Sequence, residues 1–485
     1  MKLNELELSV DYFQFDKKFY QKLESTPLNN PHLISYSKSA CDLIGLDYSS
    51  CESESFVAFM NGENVLKGSV PYSMAYAGHQ FGYFVPQLGD GRAINLGSIN
   101  GWHLQTKGSG LTRFSRQGDG RAVLRSSIRE YIMSEHMHAL GIPTTRALAL
   151  IGSTHPIYRS YDDIDTGAIV MRMSTSWIRI GTFEYFSRGK DAQENLKKLT
   201  DYVIKQSYPH LENEDNKYER FYCELVEKTA KLLAMWQAYG FMHGVMNTDN
   251  MSVAGLTIDY GPFAFMDTFE MNCICNHTDM EGRYSFCNQP EIARWNLEVL
   301  AYNLGKICSF KKLIGYLKSF ITIHQKEYLD LMNKRLGLDK RLSKDSNIDL
   351  VISLLEALEK SKIDYNCFFY RLSKLKSLDS INSITDISIF RDSIIKWFEE
   401  YKKVIENQNQ DFKYMKELML KVNPKFVIKN YMLQEAIENA KNGDFKLTND
   451  LLFIAQNPFL EHKEYDRYSN PTPIEYANIQ LSCSS

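Results

Sequence analysis

The chain has 485 residues, 44% of them apolar and 13% aromatic, with a formal net charge of −3. A chain of this size buries roughly three quarters of its unfolded surface, which makes it a large globular protein, and its length fits equally about three domain-sized units or a two-lobed body with helical additions. Its slight acidity excludes a dominant nucleic-acid or anionic-membrane surface, since counterion-release binding needs clustered excess cations.

The N-terminal stretch MKLNELELSVDYFQFDKKFY carries acidic residues where an export signal has an apolar core, and no run of about 18 uncharged apolar residues occurs after it. Nine cysteines lack the spacing of a disulfide scaffold, so a reducing, cytoplasmic address is expected.

Before about residue 173 the texture is one of short apolar runs. AINLG, WHLQTKG, ALALIG and GAIVMRM, bounded by Gly, Asn or Asp, predict strands. One helix interrupts them: from Ala122 to Leu140, Val123, Leu124, Ile128, Tyr131, Ile132 and Met133 recur near the helical period, and Gly141-Ile142-Pro143 closes the segment. Lys107 ends a predicted strand and Glu130 lies mid-helix, the order in which kinases pair a phosphate-contacting lysine with a helix glutamate. Such pairs occur in most mixed domains, so this one gains weight only from the motifs nearer the middle of the chain.

Gly-Asp-Gly-Arg-Ala occurs twice, at Gly89 to Ala93 and at Gly118 to Ala122, on either side of the strand ending in Lys107. Paired glycines let backbone N–H groups approach phosphate oxygens, and an adjacent arginine can chelate two of them. The alternative is a pair of tight turns with solvated Asp and Arg.

Next comes HGVMNTDN, His243 to Asn250, with Asp259-Tyr260-Gly261 after it. Against the kinase pattern H-x-D-x-x-x-x-N with a later DFG, the histidine, the asparagine and the DFG-like aspartate are present. Val245 stands where the catalytic aspartate belongs, and a carboxylate reappears at Asp249. The pattern points to a site that holds a nucleotide and metal while doing altered chemistry. Beyond Pro290, helical stripes run through EIARWNLEVLAYNLGKI, with Trp295, Leu300 and Leu304 on one stripe, and through VISLLEALEK, SIIKWFEEYKKV and YMLQEAIENA. They predict a helical, core-packing remainder. The last forty residues suggest an extended tail packed on the body.

The segments YAGHQFGYFVPQLGDGRAINLG, LQTKGSGLTRFSRQGDGRAVLRSSIREY, HGVMNTDNMSVAGLTIDYGPFAFMD and CNHTDMEGRYSFCNQPEIARWNL, with the terminal LSCSS, carry a nearly end-to-end resemblance to the selenoprotein O family of kinase-like protein adenylyltransferases. The resemblance implies an α+β fold: a protein-kinase-like two-lobed body with a small β-rich N-lobe and a large, mostly helical C-lobe. Its expected organisation is 1–173, the N-terminal extension and N-lobe; 174–304, the catalytic C-lobe; 305–440, helical additions; and 441–485, the tail. It implies transfer of AMP from ATP, with Mg2+ or Mn2+, to Ser, Thr or Tyr hydroxyls of proteins including itself, on a nucleotide bound in reverse. No nucleic acid or membrane partner is implied, and the oligomeric state is left open, a monomer being compatible.

By matching motif, Gly89, Gly91 and Arg92 resemble the family's nucleotide-contacting turn, and Asp119 and Gly120 its counterpart in the second repeat. Lys107 and Glu130 match its ion pair, and Arg172 and Arg179 its phosphate-binding arginines. Asp249 matches the general base, and Asn250 and Asp259 the magnesium ligands. Cys273, Cys275, His277 and Cys287 are zinc-ligand types without paired C-x-x-C spacing, so structural roles are expected of them. Cys483 in LSCSS resembles the family's tail, and a redox-sensitive bridge from Cys483 to Cys275 is the corresponding hypothesis. Two readings compete with AMP transfer: a conventional phosphotransferase, and an inactive nucleotide-binding scaffold. Val245 speaks against the first, and the joint presence of Lys107, Glu130, Asp249, Asn250 and Asp259 against the second.

Overall fold

The computed structural model describes residues 1–160, 163–339, 344–408, 411–477 and 479–481. A β-sheet region leads and a mostly helical region comes after it. The sheet runs in the order Tyr20–Lys22, Tyr72–Gln80, Ala93–Ile99, Trp102–Lys107, Asp163–Ser174, Arg146–Ser160 and His32–Tyr36. Tyr83–Gly89 is paired to Tyr72–Gln80, and Ala122–Val123 to Asp163–Ser174. All of these pairings are antiparallel. The four apolar runs in the sequence all lie in these strands. Gln105 stands opposite Arg172, and period two places Lys107 on the same face as Gln105, so the register alone aims Lys107 and Arg172 toward one side of the sheet.

Two features depart from expectation. The Tyr72–Gln80 and Tyr83–Gly89 strands form a hairpin whose link, Phe81-Gly82, has both residues at positive φ (50° and 88°), the twist-matched two-residue turn. The sheet also carries helices at Lys38–Ile44, Tyr48–Cys51 and Glu54–Asn61, where the sequence pattern suggests a single helix among strands. Each starts on a side-chain cap, from Ser37, Asp47 and Ser53 respectively, which satisfies a backbone N–H left open at the helix start.

The expected helix spans Leu124–Ala139, since Ala122 and Val123 are taken by the sheet. It is buried on nearly every side. The Arg146–Ser160 and Asp163–Ser174 strands pack on it from one side, the Asn430–Lys441 and Lys446–Gln456 helices from another. Residues 446–456 are therefore helical rather than extended. Such burial favours a partner for each polar side chain on the helix, and Ser127 Oγ is an exception left without one. Glu135 takes two hydrogen bonds from Arg146, both 2.8 Å, and Arg129 donates to Phe263 O and Asn430 Oδ1. His136 is pushed down to about 4 by burial, so its neutral ring donates from Nδ1 to Ala455 O (3.1 Å) and accepts at Nε2 from Ile428 N (3.2 Å).

In the helical region the long Lys217–Tyr239 helix ends on Gly240 in the left-handed conformation (φ 74°). Phe241–Met242 then pairs with Ala264–Phe265, and these two short strands fix the ends of the intervening loop that carries His243 to Gly261. Leu300 and Leu304 are fully buried as expected, whereas Trp295 is only half-buried and packs on His79. No helix among the described residues is long and apolar enough to cross a membrane.

A buried charge cluster ties the second half together: Lys429 Nζ contacts Asp364 and lies 3.5 Å from Asp267 Oδ1, with Lys429 and Asp364 each 3% exposed. Burial disfavours the ammonium, but Asp364 outweighs it and holds the Lys429 pKa above its ordinary value. Removing the cation alone strands a buried carboxylate. Lys429→Met is expected to lower stability by about 3–5 kcal/mol, read as an earlier midpoint in chemical denaturation, whereas Lys446→Met, whose ammonium is open to solvent beside Asp450, leaves the midpoint nearly unmoved.

Candidate active site

Between the sheet and the helical region lies a cavity of about 680 Å³. Arg92, Lys107, Arg116, Arg121, Arg159, Arg172 and Arg179 line it, against Asp90, Asp119, Asp249 and Asp259. Its centre is a line of alternating charges. Lys107 Nζ is 2.6 Å from Glu130 Oε2, Glu130 Oε1 is 2.8 Å from Arg172 Nη1, and the same nitrogen is 2.6 Å from Asp259 Oδ1. Asp259 Oδ2 is in turn 2.6 Å from Arg179 Nη1. Burial opposes both carboxylates, yet Lys107 and Arg172 hold Glu130 below its usual pKa, and Arg179, Arg172 and Lys107 hold Asp259 well below its own. Both acids are ionised at neutral pH. Burial lowers the Lys107 pKa, with Glu130 opposing.

Asp259 sits at φ 58°, a left-handed conformation that few residues other than glycine adopt. The two guanidinium contacts keep its carboxylate oriented there. His243 anchors the preceding loop: its ring donates from Nε2 to Ile258 O (2.8 Å), stacks on Trp236, and its backbone N–H donates to Gln289 Oε1.

Asp249 lies in the single turn Thr248–Asn250, 7% exposed. Its Oδ2 accepts from Gln80 Nε2 at 3.1 Å, while its Oδ1 is buried without a hydrogen-bond partner. Burial raises the Asp249 pKa to about 6 against the lowering effects of Gln80 and Arg179. Arg179 Nη1 also donates to Asp249 O (2.7 Å), so one arginine spans the backbone of Asp249 and the carboxylate of Asp259. Asn250 donates from Nδ2 to Val245 O at 3.1 Å.

The two Gly-Asp-Gly-Arg-Ala repeats fold differently. Asp90 is buried, and its Oδ2 accepts from Met74 N and Asn95 Nδ2, both at 2.9 Å, so it staples the hairpin. Asp119 is open to the cavity and pairs with Arg159 at 3.1 Å. Arg92 and Arg121 both line the cavity, but the Arg121 guanidinium is engaged with the carbonyls of Thr26, Pro27 and Gly108. Gly120 is required: at φ 70° a Cβ would stand 2.1 Å from Gly110 O.

Over residues 2–456 the chain matches the family described as Protein adenylyltransferase SelO. It is also 40% identical over 490 residues to the Protein nucleotidyltransferase YdiU of Myxococcus xanthus, covering 100% of this chain and 99% of that protein. The proteins of that name from Herminiimonas arsenicoxydans and Pseudomonas fluorescens are 42% and 40% identical over the whole of this chain and 98% and 99% of their own lengths. The chain belongs to the SelO family. Membership makes it an enzyme of the protein nucleotidyltransferase class.

All the site residues picked out in this SelO sequence line the cavity except Glu130, which is buried behind it and bonded to Lys107 and Arg172. Arg116, Arg159 and Tyr76 line it too without having been singled out; Arg116 and Arg159 differ in no local way from solvated arginines. The cysteine and histidine group does not converge. Cys275 Sγ donates to Pro262 O (2.8 Å), Cys287 Sγ to Asn272 Oδ1 (3.2 Å), and His277 pairs with Leu481. Among the described residues no cluster of three or more His, Cys, Asp or Glu could hold a metal. Cys483, and with it the bridge to Cys275, lies outside the described residues.

Packing around Asp249 leaves no slack. A Cβ on Gly78 would stand 2.5 Å from Asp249 Oδ1. Gly78→Ala is therefore expected to push the carboxylate aside and lower nucleotidyl transfer about 10²-fold, measured as initial rate, while costing only about 1–3 kcal/mol of stability.

Proposed function

We propose that the cavity binds ATP with a divalent cation and that the chain transfers AMP to Ser, Thr or Tyr hydroxyls of proteins, itself included, with pyrophosphate leaving. The observation that carries this reading is Asp249 Oδ1: a carboxylate oxygen buried on the cavity wall with no partner of its own, beside a cation-rich lining, while the kinase position holds Val245. A pKa near 6 suits a general base at neutral pH, ionised yet basic enough to take a hydroxyl proton. The sheet and helical regions with the cavity between them support a two-lobed, protein-kinase-like body, in which Lys107 and Glu130 hold the strand-to-helix pair.

The donor set fits a hard cation. With Nδ2 engaged by Val245 O, Asn250 has its amide oxygen to offer, and each Asp259 oxygen keeps a lone pair beyond its one guanidinium contact. When bound, the cation would neutralise charge on phosphate oxygens. The chain's own residues do the rest. Lys107, Arg92, Arg172 and Arg179 offset the triphosphate charge, and the two repeats, through Gly89, Gly91, Asp119 and Gly120, line its walls. Asp249 takes the acceptor's proton as the hydroxyl oxygen attacks the α-phosphorus.

Incubation with magnesium and ATP labelled at the α- or γ-phosphate tests the reading. α-Label alone is expected in protein. γ-Label alone supports phosphotransfer, and neither supports a nucleotide-binding scaffold. Asp249→Asn, which keeps shape and removes the base, is expected to lower incorporation by about 10²–10⁴-fold with ATP affinity retained. Chelation of the divalent cation should abolish incorporation, and added Mg2+ should restore it.

A further inference from the structure

The turn that presents Asp249 is held from behind by a closed ring of three side chains. The backbone N–H of His79, at the end of the Tyr72–Gln80 strand, donates to Thr248 Oγ1 at 2.7 Å. That hydroxyl donates to Glu184 Oε1, and Glu184 Oε2 lies 2.6 Å from His79 Nδ1, a close charge contact without hydrogen-bond alignment. Glu184 belongs to the Ile180–Phe186 helix, whose preceding residue is Arg179, and its side chain is 4% exposed. Three separate elements therefore meet in the ring. Packing makes the junction rigid, for a Cβ on Gly181 would stand 2.1 Å from Ala77 O and 3.3 Å from the Cα of Asp249.

We infer that Glu184 is a positioning residue for the transfer reaction: through Thr248 it fixes the turn that holds Asp249 in the cavity wall, with His79 packed against it. The inference rests on the reading of Asp249 as the base. Glu184 makes no contact with Asp249 and does not line the cavity, so its effect must pass through Thr248.

The protonation of the ring dictates which replacement works. Burial pushes Glu184 up to about 7 and, with Arg283 nearby, pushes His79 below its ordinary pKa, so burial moves both groups toward their neutral forms. A neutral Gln can reproduce that arrangement, accepting from Thr248 with its oxygen and donating to His79 Nδ1 with its amide. Outward, the His79 ring packs on Phe84 and on Trp295, which carries the Arg283 guanidinium 4.8 Å from its ring.

The test uses the full chain with α-labelled ATP. Glu184→Ala is expected to lower kcat about 10²-fold with the KM for ATP within roughly twofold, and Glu184→Gln to recover most of that rate. Thr248→Val, which keeps volume and breaks the ring from the other side, should match Glu184→Ala, and it decides the question if Glu184→Ala does not fold. An unchanged kcat in Thr248→Val or in folded Glu184→Ala, a loss confined to the KM for ATP, or equal losses in the Gln and Ala variants would overturn the positioning role alone. Absence of α-label transfer by the unaltered protein would overturn the reading of Asp249 and this inference with it.

Discussion

The carboxylate of Asp259, shared between Arg172 and Arg179, is the contact on which the rest of the site depends. Each buried ion alone would cost several kcal/mol in lost hydration, and neighbouring opposite charges offset that only when the geometry is tight. Lys107, Glu130, Arg172, Asp259 and Arg179 meet the condition by alternating sign at 2.6–2.8 Å. The line contains three cations and two anions, and the carboxylates of Asp90 and Asp249 beside Arg179 offset part of its surplus positive charge. The same line joins the sheet, the Leu124–Ala139 helix and the loop after His243, and no one of these elements could keep its charged residue buried without the other two.

How much of this the sequence disclosed depends on where the information resides. Strands bounded by turn residues and a helix of clear period located Lys107 and Glu130 correctly, because short-range pattern sets those elements and the register then aims the side chains. Three capped helices between residues 38 and 61 carried an equally local signal, Ser37, Asp47 and Ser53 at their starts, and went unread because the sheet dominated that region. The identical pentapeptides were misleading in a particular way. Asp90 is enclosed by Met74 and Asn95, whereas Asp119 meets Arg159 from a distant strand, so the same five letters acquire different chemistry from their tertiary surroundings. Glu184 and Thr248 gave no signal at all. A glutamate on a short helix is ordinary until folding brings it to a hydroxyl 64 positions away.

Family membership and geometry contribute different things. The SelO match and the YdiU relatives establish the enzyme class. They do not explain why valine at position 245 and aspartate at position 249 suit one chemistry better than another. That argument comes from a single unpartnered oxygen, the burial that raises its proton affinity, and the glycine-only packing of Gly78 and Gly181 that denies it freedom.

The Leu124–Ala139 helix is enclosed partly by the Lys446–Gln456 helix, more than three hundred residues further along, through the contacts of His136 with Ala455 and of Glu135 with Gln456. During synthesis at about 5–20 residues per second, the segment bearing Glu130 therefore waits tens of seconds for its cover. A nascent polypeptide in that interval exposes oily surface that invites chaperones, and its charge line lacks the scaffold that braces it. Competence thus waits on the Lys446–Gln456 helix, long after the charged residues themselves have been made.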